Sequence, residues 1–277
     1  MEWKRENCRY YECNMRKLLF YFLFLLRLVS EVDGQDKTLP SANNTSFSYG
    51  EDITYKLTYS LYMDVSVGEV NFKIMPKPED IKGNRCMHIV ATGNTYPFYD
   101  PFYTVRDRYE SYIDEKSLLP FVFMRNVHEG DFKFNDFVVF NPFSNIAKSK
   151  KRTQHIPSGT WDMLSILYYA RTLNYANAKP GQKFTMHTFI DDSTYTVGVK
   201  YIGKETVKTD MGTFRCIKLQ PILIVGHVFK SDSDMMLWIS DDNNHIPVQV
   251  ESGISVGAVK AQISKYSGLK NSMTAKL

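Results

Sequence analysis

With 277 residues, 43% of them hydrophobic, the chain can enclose a core as one large or two small domains. Charged residues make up 23% and are mixed in sign, and the formal net charge is only +4, which excludes nucleic acid as the expected partner and leaves no room for a long disordered tail. The 18 Tyr and 18 Phe favour strands over helices.

In chain order, residues 1–14 read as an upstream extension. Met15-Arg16-Lys17 then precedes nine apolar residues, 18–26, which is the pattern of a secretory signal. A membrane span needs about 20 apolar residues, and Arg27 interrupts this run, so no transmembrane span is expected once the signal is removed. The expected removal ends near residue 34. Residues 1–34 hold six Lys/Arg and five Asp/Glu, leaving 28 against 25, or +3. No cysteine follows the apolar run, so a lipoprotein is not expected, and Cys8 and Cys13 would leave with the signal. The implied location is the periplasm or outer cell envelope.

Residues 35–48 are small and polar and read as a flexible leader. From 51 to 61 the sequence alternates strictly: Ile53, Tyr55, Leu57, Tyr59 and Leu61 on one side, polar residues on the other. That is a half-buried antiparallel strand. Residues 65–75 follow as its partner, with Gly68 a bulge or kink. Further strands are expected at 85–92, 103–113, 119–128 and 132–140. The second series runs 183–190, 195–201, 213–219, 223–230, 235–240, 246–251 and 256–266. Asp191-Asp192 and Asp241-Asp242-Asn243-Asn244 have the chemistry of turns and lack the glycine and alternation of a calcium loop.

Between the two series lies one long helical pattern, residues 158–174. Trp161, Met163, Leu164, Ile166, Leu167, Tyr168, Ala170 and Leu173 make it apolar on most faces, and only Asp162, Ser165, Tyr169 and Thr172 form a polar stripe. Such a helix must be covered on most faces, so strands are expected to wrap it, and Leu167→Asp is expected to abolish folding. Whether the stripe meets solvent, a ligand or a strand stays open.

The two series resemble each other. Gly50-Glu51-Asp52-Ile53-Thr54 matches Gly181-Gln182-Lys183-Phe184-Thr185, Arg85-Cys86-Met87-His88-Ile89 matches Arg215-Cys216-Ile217-Lys218-Leu219, and Tyr112-Ile113-Asp114 matches Trp238-Ile239-Ser240. Leu119-Pro120 and Ile246-Pro247, and Gly130 and Gly257, continue the series. All five lie at offsets of 126 to 131 residues. The expected fold is all-β: one β-rich domain, 49–268, with a tail at 269–277. It is a curved antiparallel sheet or incompletely closed barrel made of two related halves, 50–145 and 181–267, bridged by the mostly buried helix.

Several runs resemble an exported bacterial family catalogued as domain of unknown function 3108. They are Tyr49-Gly50-Glu51, Val105-Arg106-Asp107-Arg108-Tyr109-Glu110-Ser111-Tyr112-Ile113-Asp114, Leu118-Leu119-Pro120, Trp161-Asp162-Met163-Leu164-Ser165, Gly212-Thr213-Phe214-Arg215-Cys216 and Trp238-Ile239-Ser240-Asp241-Asp242. The resemblance covers residues 45–268 and implies envelope placement and a β-rich fold, with no activity, cofactor or catalytic residue to carry over. In architecture alone the pattern is similar to the open barrels of the lipoprotein carriers LolA and LolB.

Candidate chemistry is sparse. Cys86 and Cys216 occupy matching positions, but a disulfide demands Cα atoms within about 7 Å, and two unpaired thiols are the favoured reading. No C-x-x-C, zinc-type histidine spacing or nucleotide-binding loop occurs, so no cofactor or metal is expected. Arg106, Arg108 and Glu110 share a strand face as cross-strand ion pairs, and Asp107 with Tyr109 points the other way. The aromatic run holding Tyr96, Phe98, Tyr99, Phe102 and Tyr103 is broken by two prolines; it either plugs the sheet or forms an apolar lip. These five, with Asp162 and Tyr169, are the candidate ligand-binding residues. The best reading is a monomeric, non-enzymatic envelope protein that binds a lipid or other apolar or amphipathic ligand between sheet and helix. A glycan or an envelope protein is the further candidate partner. The alternatives are an interaction module with a filled core and, last, a hydrolase resting on Asp107 and the histidines. An apolar cavity of several hundred Å³ beside the helix separates the first from the second.

Overall fold

Residues with period-two alternation pair their backbones into a single sheet. The structure, a computed structural model, describes residues 38–222, 235–253 and 257–277. The expected signal segment and the expected strand at 223–230 lie outside the described residues. The strands are β1 (Asp52–Ser60), β2 (Asp64–Ile74), β3 (Glu79–Ile81), β4 (Asn84–Thr95), β5 (Arg106–Asp114), β6 (Pro120–Glu129), β7 (Phe132–Asn141), β8 (Ile146–Lys148), β9 (Thr153–His155) and β10 (Thr160–Trp161). After the short helix α1 (Ser165–Ala170) come β11 (Lys183–Ile190), β12 (Ser193–Thr209), β13 (Gly212–Ile222), β14 (Met235–Ser240), β15 (Pro247–Gly253) and β16 (Ala258–Ser267).

Hydrogen-bonded neighbours run β10-β11-β12-β13-β14-β15-β16-β1-β2-β4-β5-β6-β7-β8-β9, with β3 attached to β4. The second series is therefore a six-stranded meander whose last strand, β16, pairs antiparallel with β1 and continues into the first series. Irregularities in register at Thr54/Tyr55, Leu57/Thr58, Tyr112/Ile113, Tyr201/Gly203 and Trp238/Ile239 bend the sheet. Gly68 lies at one of them, and a Cβ there would stand 2.3 Å from the Asn94 carbonyl oxygen, a backbone approach only glycine permits. The same bulge ends the alternation read from β1. Ile53 and Tyr55 are buried as expected, but Thr58 is buried beyond them and Leu61 is exposed.

Curvature brings the two series face to face without closing a barrel. Phe140 of β7 meets Phe189 of β11 edge to face at 5.8 Å, and Gln154 Nε2 donates to the Asp192 carbonyl at 2.9 Å. The β11–β12 turn has Asp191 and Asp192 at φ of 49° and 60°, the left-handed pair of a two-residue hairpin.

Alternate connections fall at opposite ends of the sheet. The β1–β2, β4–β5, β6–β7 and β11–β12 turns share one end, here the tip end, since Ser60 pairs with Ala258 and Val105 bridges Glu129. The β5–β6 and β14–β15 connections and the start of β1 share the other end, the floor. Ser46 and Phe47, expected in a flexible leader, are buried against α1 at this floor. In the expected tail, Ala275 is buried and Leu277 N–H donates to the Thr213 carbonyl at 2.8 Å.

The helix is much shorter than residues 158–174. Thr160 and Trp161 pair in parallel with His187 and Thr188 of β11, which takes the start of the pattern into the sheet. Asp162 Oδ1 accepts the N–H groups of Leu164 and Ser165 at 2.7 and 2.8 Å, so α1 begins only there. At its other end the Arg171 carbonyl accepts from Ser46 Oγ and His245 Nδ1, each at 2.8 Å. The backbone tightens to i−3 bonds, Thr172 to Tyr169 and Leu173 to Ala170, and leaves the helix.

Candidate ligand-binding cleft

Between α1 and the concave face of the sheet lies a cleft of about 740 Å³. Its wall is built by β1, β2 and β11 to β16, with Ile53, Phe72, Val197, Leu219, Leu237 and Ala261 among the apolar side chains, and Ile166, Leu167 and Ala170 of α1 form the opposite side. Its acidic and basic side chains are Arg125, Asp191, Arg171 and His245, two at each end. Such a volume is typical of small-ligand sites of about 300–1,000 Å³.

At the floor, Arg171 follows α1 directly. Its Nη1 and Nη2 donate to Glu51 Oε1 and Oε2 at 2.6 and 2.7 Å, and its Nε donates to the Asn244 carbonyl at 3.1 Å. Both partners of this ion pair are buried. Burial works against the charge on Arg171, but Glu51 outweighs it and holds the guanidinium above its ordinary pKa. The guanidinium stacks near the rings of Phe47 and Tyr168, at 5.3 and 5.2 Å. His245, at φ 45°, donates through Nδ1 to the Arg171 carbonyl, and burial lowers its pKa.

Toward the tip end, Arg125 of β6 pairs with Asp191 of the β11–β12 turn and with Asp136 at 3.2 Å. Its guanidinium lies 4.6 Å over Phe134, and its buried Nε–H has no partner among the described residues.

The residues expected to bind a ligand are placed elsewhere. None of Tyr96, Phe98, Tyr99, Phe102, Tyr103, Asp162 and Tyr169 lines the cleft. The five aromatics occupy the β4–β5 loop, where Phe98, Phe102 and Tyr103 are exposed. Asp162 is wholly buried: its Oδ2 accepts from Ser111 Oγ of β5 at 2.6 Å while Oδ1 starts α1, and burial raises its pKa against those hydrogen bonds. Tyr169 stacks on Trp161 at 3.8 Å. Asp162 and Ser165 of the polar stripe thus face inward, while Ile166, Leu167 and Ala170 look into the cleft. Leu167 is 51% exposed and lines that cleft, so it is not the enclosed core residue on which the expectation that Leu167→Asp abolishes folding rests.

The other candidates are structural. Cys86 and Cys216 are unpaired and buried, and burial pushes both thiols up to about 12, far from thiolate chemistry. Arg108 and His88 both pair with Glu110, at 2.8 and 2.7 Å. Asp107 accepts from the His128 backbone N–H at 2.9 Å, and neither it nor Asp162 meets a histidine side chain among the described residues. No group of three potential metal ligands occurs among them.

A family model described as Protein of unknown function (DUF3108) matches residues 54–264. The chain belongs to this family. No curated protein matches it. The fold of this DUF3108 chain is similar to that of a β-barrel-like protein of domain of unknown function DUF1849 from Brucella abortus. That likeness has a TM-score of 0.50 at 10% identity and covers 80% of this chain and 99% of the other. A Bacteroides fragilis protein with a YmcC-like fold is similar at TM-score 0.37, 11% identity and 82% and 99% coverage. The Mycobacterium tuberculosis lipoprotein LppX follows at TM-score 0.17 and 13% identity, covering 78% of this chain and 85% of that one. No helix among the described residues is long and apolar enough to cross a membrane.

Proposed function

We propose that this DUF3108 chain is an exported, non-enzymatic envelope protein that holds an acyl-chain ligand in the cleft between α1 and the sheet. The observation that carries the reading is the 740 Å³ of apolar space beside the helix, which a filled interaction module would not leave. The ligand's apolar part lies along Ile166 and Leu167. Its polar end sits at Arg125, which has a spare buried N–H, whereas Arg171 is held by Glu51. Export rests on the basic and apolar pattern of residues 15–26. The reading of two related halves is supported by register. Cys86 pairs with Asp114 across β4–β5 and Cys216 with Ser240 across β13–β14, the positions matched in the sequence. The binding reading is favoured over the hydrolase alternative because, among the described residues, Asp107 accepts from the His128 backbone N–H and Asp162 from Ser111 Oγ, and neither meets an imidazole.

The test combines native mass spectrometry of the protein from its own envelope with a fluorescent long-chain fatty acid titrated into delipidated protein. Co-purified acyl mass and saturable binding are expected. Leu167→Asp is expected to fold, because its side chain reaches water at the cleft, and to weaken fatty-acid binding by about tenfold or more. Wild-type protein that retains no acyl ligand, or a folded Leu167→Asp that binds it equally well, overturns the proposal.

A further inference from the structure

The described residues expose nine large apolar side chains, and seven of them lie at one end of the sheet. One of the other two is Leu167, in the cleft. The β1–β2 turn presents Leu61, Tyr62 at 96% exposure and Met63 at 73%. Two strands away, the β4–β5 loop presents Phe98 at 75%, Phe102 at 81% and Tyr103, and the β6–β7 hairpin adds Phe132. These are not scattered. Tyr96 N–H donates to the Val67 carbonyl at 3.0 Å, which seats the loop beside β2, and Gly130 N–H donates to Thr104 at 2.7 Å, which seats it beside the β6–β7 turn. One apolar rim therefore crosses β1, β2 and β4 to β7. An exposed, contiguous apolar rim marks a contact surface.

We infer that this rim docks the protein on a lipid bilayer, inserting its aromatic tips at the headgroup boundary. Three observations favour a membrane over a protein partner. The apolar groups stand on separate turns, as shallow anchors do, and do not form a flat face. Tyr62 and Tyr103 stand beside Phe98, Phe102 and Met63, and amphipathic rings of that kind favour the bilayer interface. Beside Met63, Phe98 and Phe102 the charges are matched internally, Asp64 with Lys260 at 3.4 Å and Asp100 with Arg106 at 2.6 Å, and around Phe132 the residues Glu129, Asp131 and Lys133 sum to −1, which offers no attraction to anionic lipid, so apolar insertion and not charge drives the contact. The cleft wall also reaches this end at Asp191, Ile222 and Met235, so a ligand can pass to or from the bilayer there. Docking itself does not require the cleft to be occupied.

The experiment is co-sedimentation of residues 35–277, the chain left once the expected signal is removed and with it the apolar run 18–26, with phosphatidylcholine vesicles, without anionic lipid, at about 0.1 M and about 1 M salt. Binding is expected at both. A Tyr62→Ser, Met63→Ser, Phe98→Ser, Phe102→Ser variant is expected to keep the wild-type melting midpoint and bind about a hundredfold more weakly or worse. Leu167→Asp is expected to bind vesicles like wild type, which separates failure of the cleft reading from failure of docking. The inference is overturned if wild type does not sediment with phosphatidylcholine vesicles. It is also overturned if binding needs anionic lipid and vanishes in high salt, or if the folded quadruple variant binds unchanged. A wild-type dimer that the quadruple variant converts to monomer, without vesicle binding, assigns the rim to a second copy instead.

Discussion

The two ends of the curved sheet solve opposite problems. At the floor, charge is buried and matched. Arg171, Glu51 and the Asn244 carbonyl close a network under α1, and Asp242 accepts from Ser240 Oγ and the Asn244 N–H at 2.8 and 3.0 Å. At the tip end the chain exposes Tyr62, Phe98 and Phe102, which a folded core would have covered. A buried ion pair is weak evidence of net stability but strong evidence of fixed geometry, because each partner becomes costly once the other is gone. The sheet is therefore locked by a buried ion pair at one end and presents apolar side chains at the other.

The contrast breaks most severely at Arg171. Replacing it by Met leaves the Glu51 carboxylate buried without its partner, and is expected to cost about 3–5 kcal/mol in urea denaturation. Adding Glu51→Gln to that variant removes the stranded charge and should restore part of the loss. If Arg171→Met alone changes stability by less than about 1 kcal/mol, the floor is not locked by this pair. Next comes Asp162, whose carboxylate serves Ser111, Leu164 and Ser165 together. Asp162→Ala is expected to cost about 2–3 kcal/mol, and Asp162→Asn, which keeps the acceptor at the start of α1, clearly less. Equal losses for Ala and Asn would mean that the buried charge, and not the helix start, is what the site needs.

How far the sequence discloses this architecture depends on whether a feature is local. The strands are legible because side-chain alternation is a property of neighbouring residues, and so is the Asp191-Asp192 hairpin, whose residue types suit left-handed backbone. The resemblance to the family is legible for the same reason, in short runs. The helix length is not, since Thr160 and Trp161 join a strand nearly thirty residues away, and only that pairing removes them from the helical pattern. Glu51 and Arg171 are separated by 120 residues, and no pattern joins them beforehand. The cleft is hidden for a different reason. An apolar residue facing a solid core and one facing an apolar cavity have the same hydropathy, so Leu167 reads as buried when it lines the cleft. Asp162 shows the converse: a polar stripe that suggests a ligand is filled by the chain's own backbone.

The finest test of the floor is by pH, through His245. In the folded chain burial lowers its pKa below the ordinary value of 6.5, while its Nδ1–H is committed to the Arg171 carbonyl. A histidine whose folded pKa is depressed binds fewer protons folded than unfolded near the unfolded pKa. Its contribution is therefore fully present above about pH 6.5 and is lost as pH falls from there through the folded value. The melting midpoint should accordingly fall on acidification below about pH 6.5, before the carboxylates titrate. His245→Asn tests the assignment, because an Asn side chain can keep the donor to Arg171 and tolerates the positive φ of this position. The variant should flatten the stability profile between about pH 5 and 7 with little change above it. A wild-type profile already flat in that interval, or an Asn variant with the same slope, would locate the titrating group elsewhere and remove His245 from the lock.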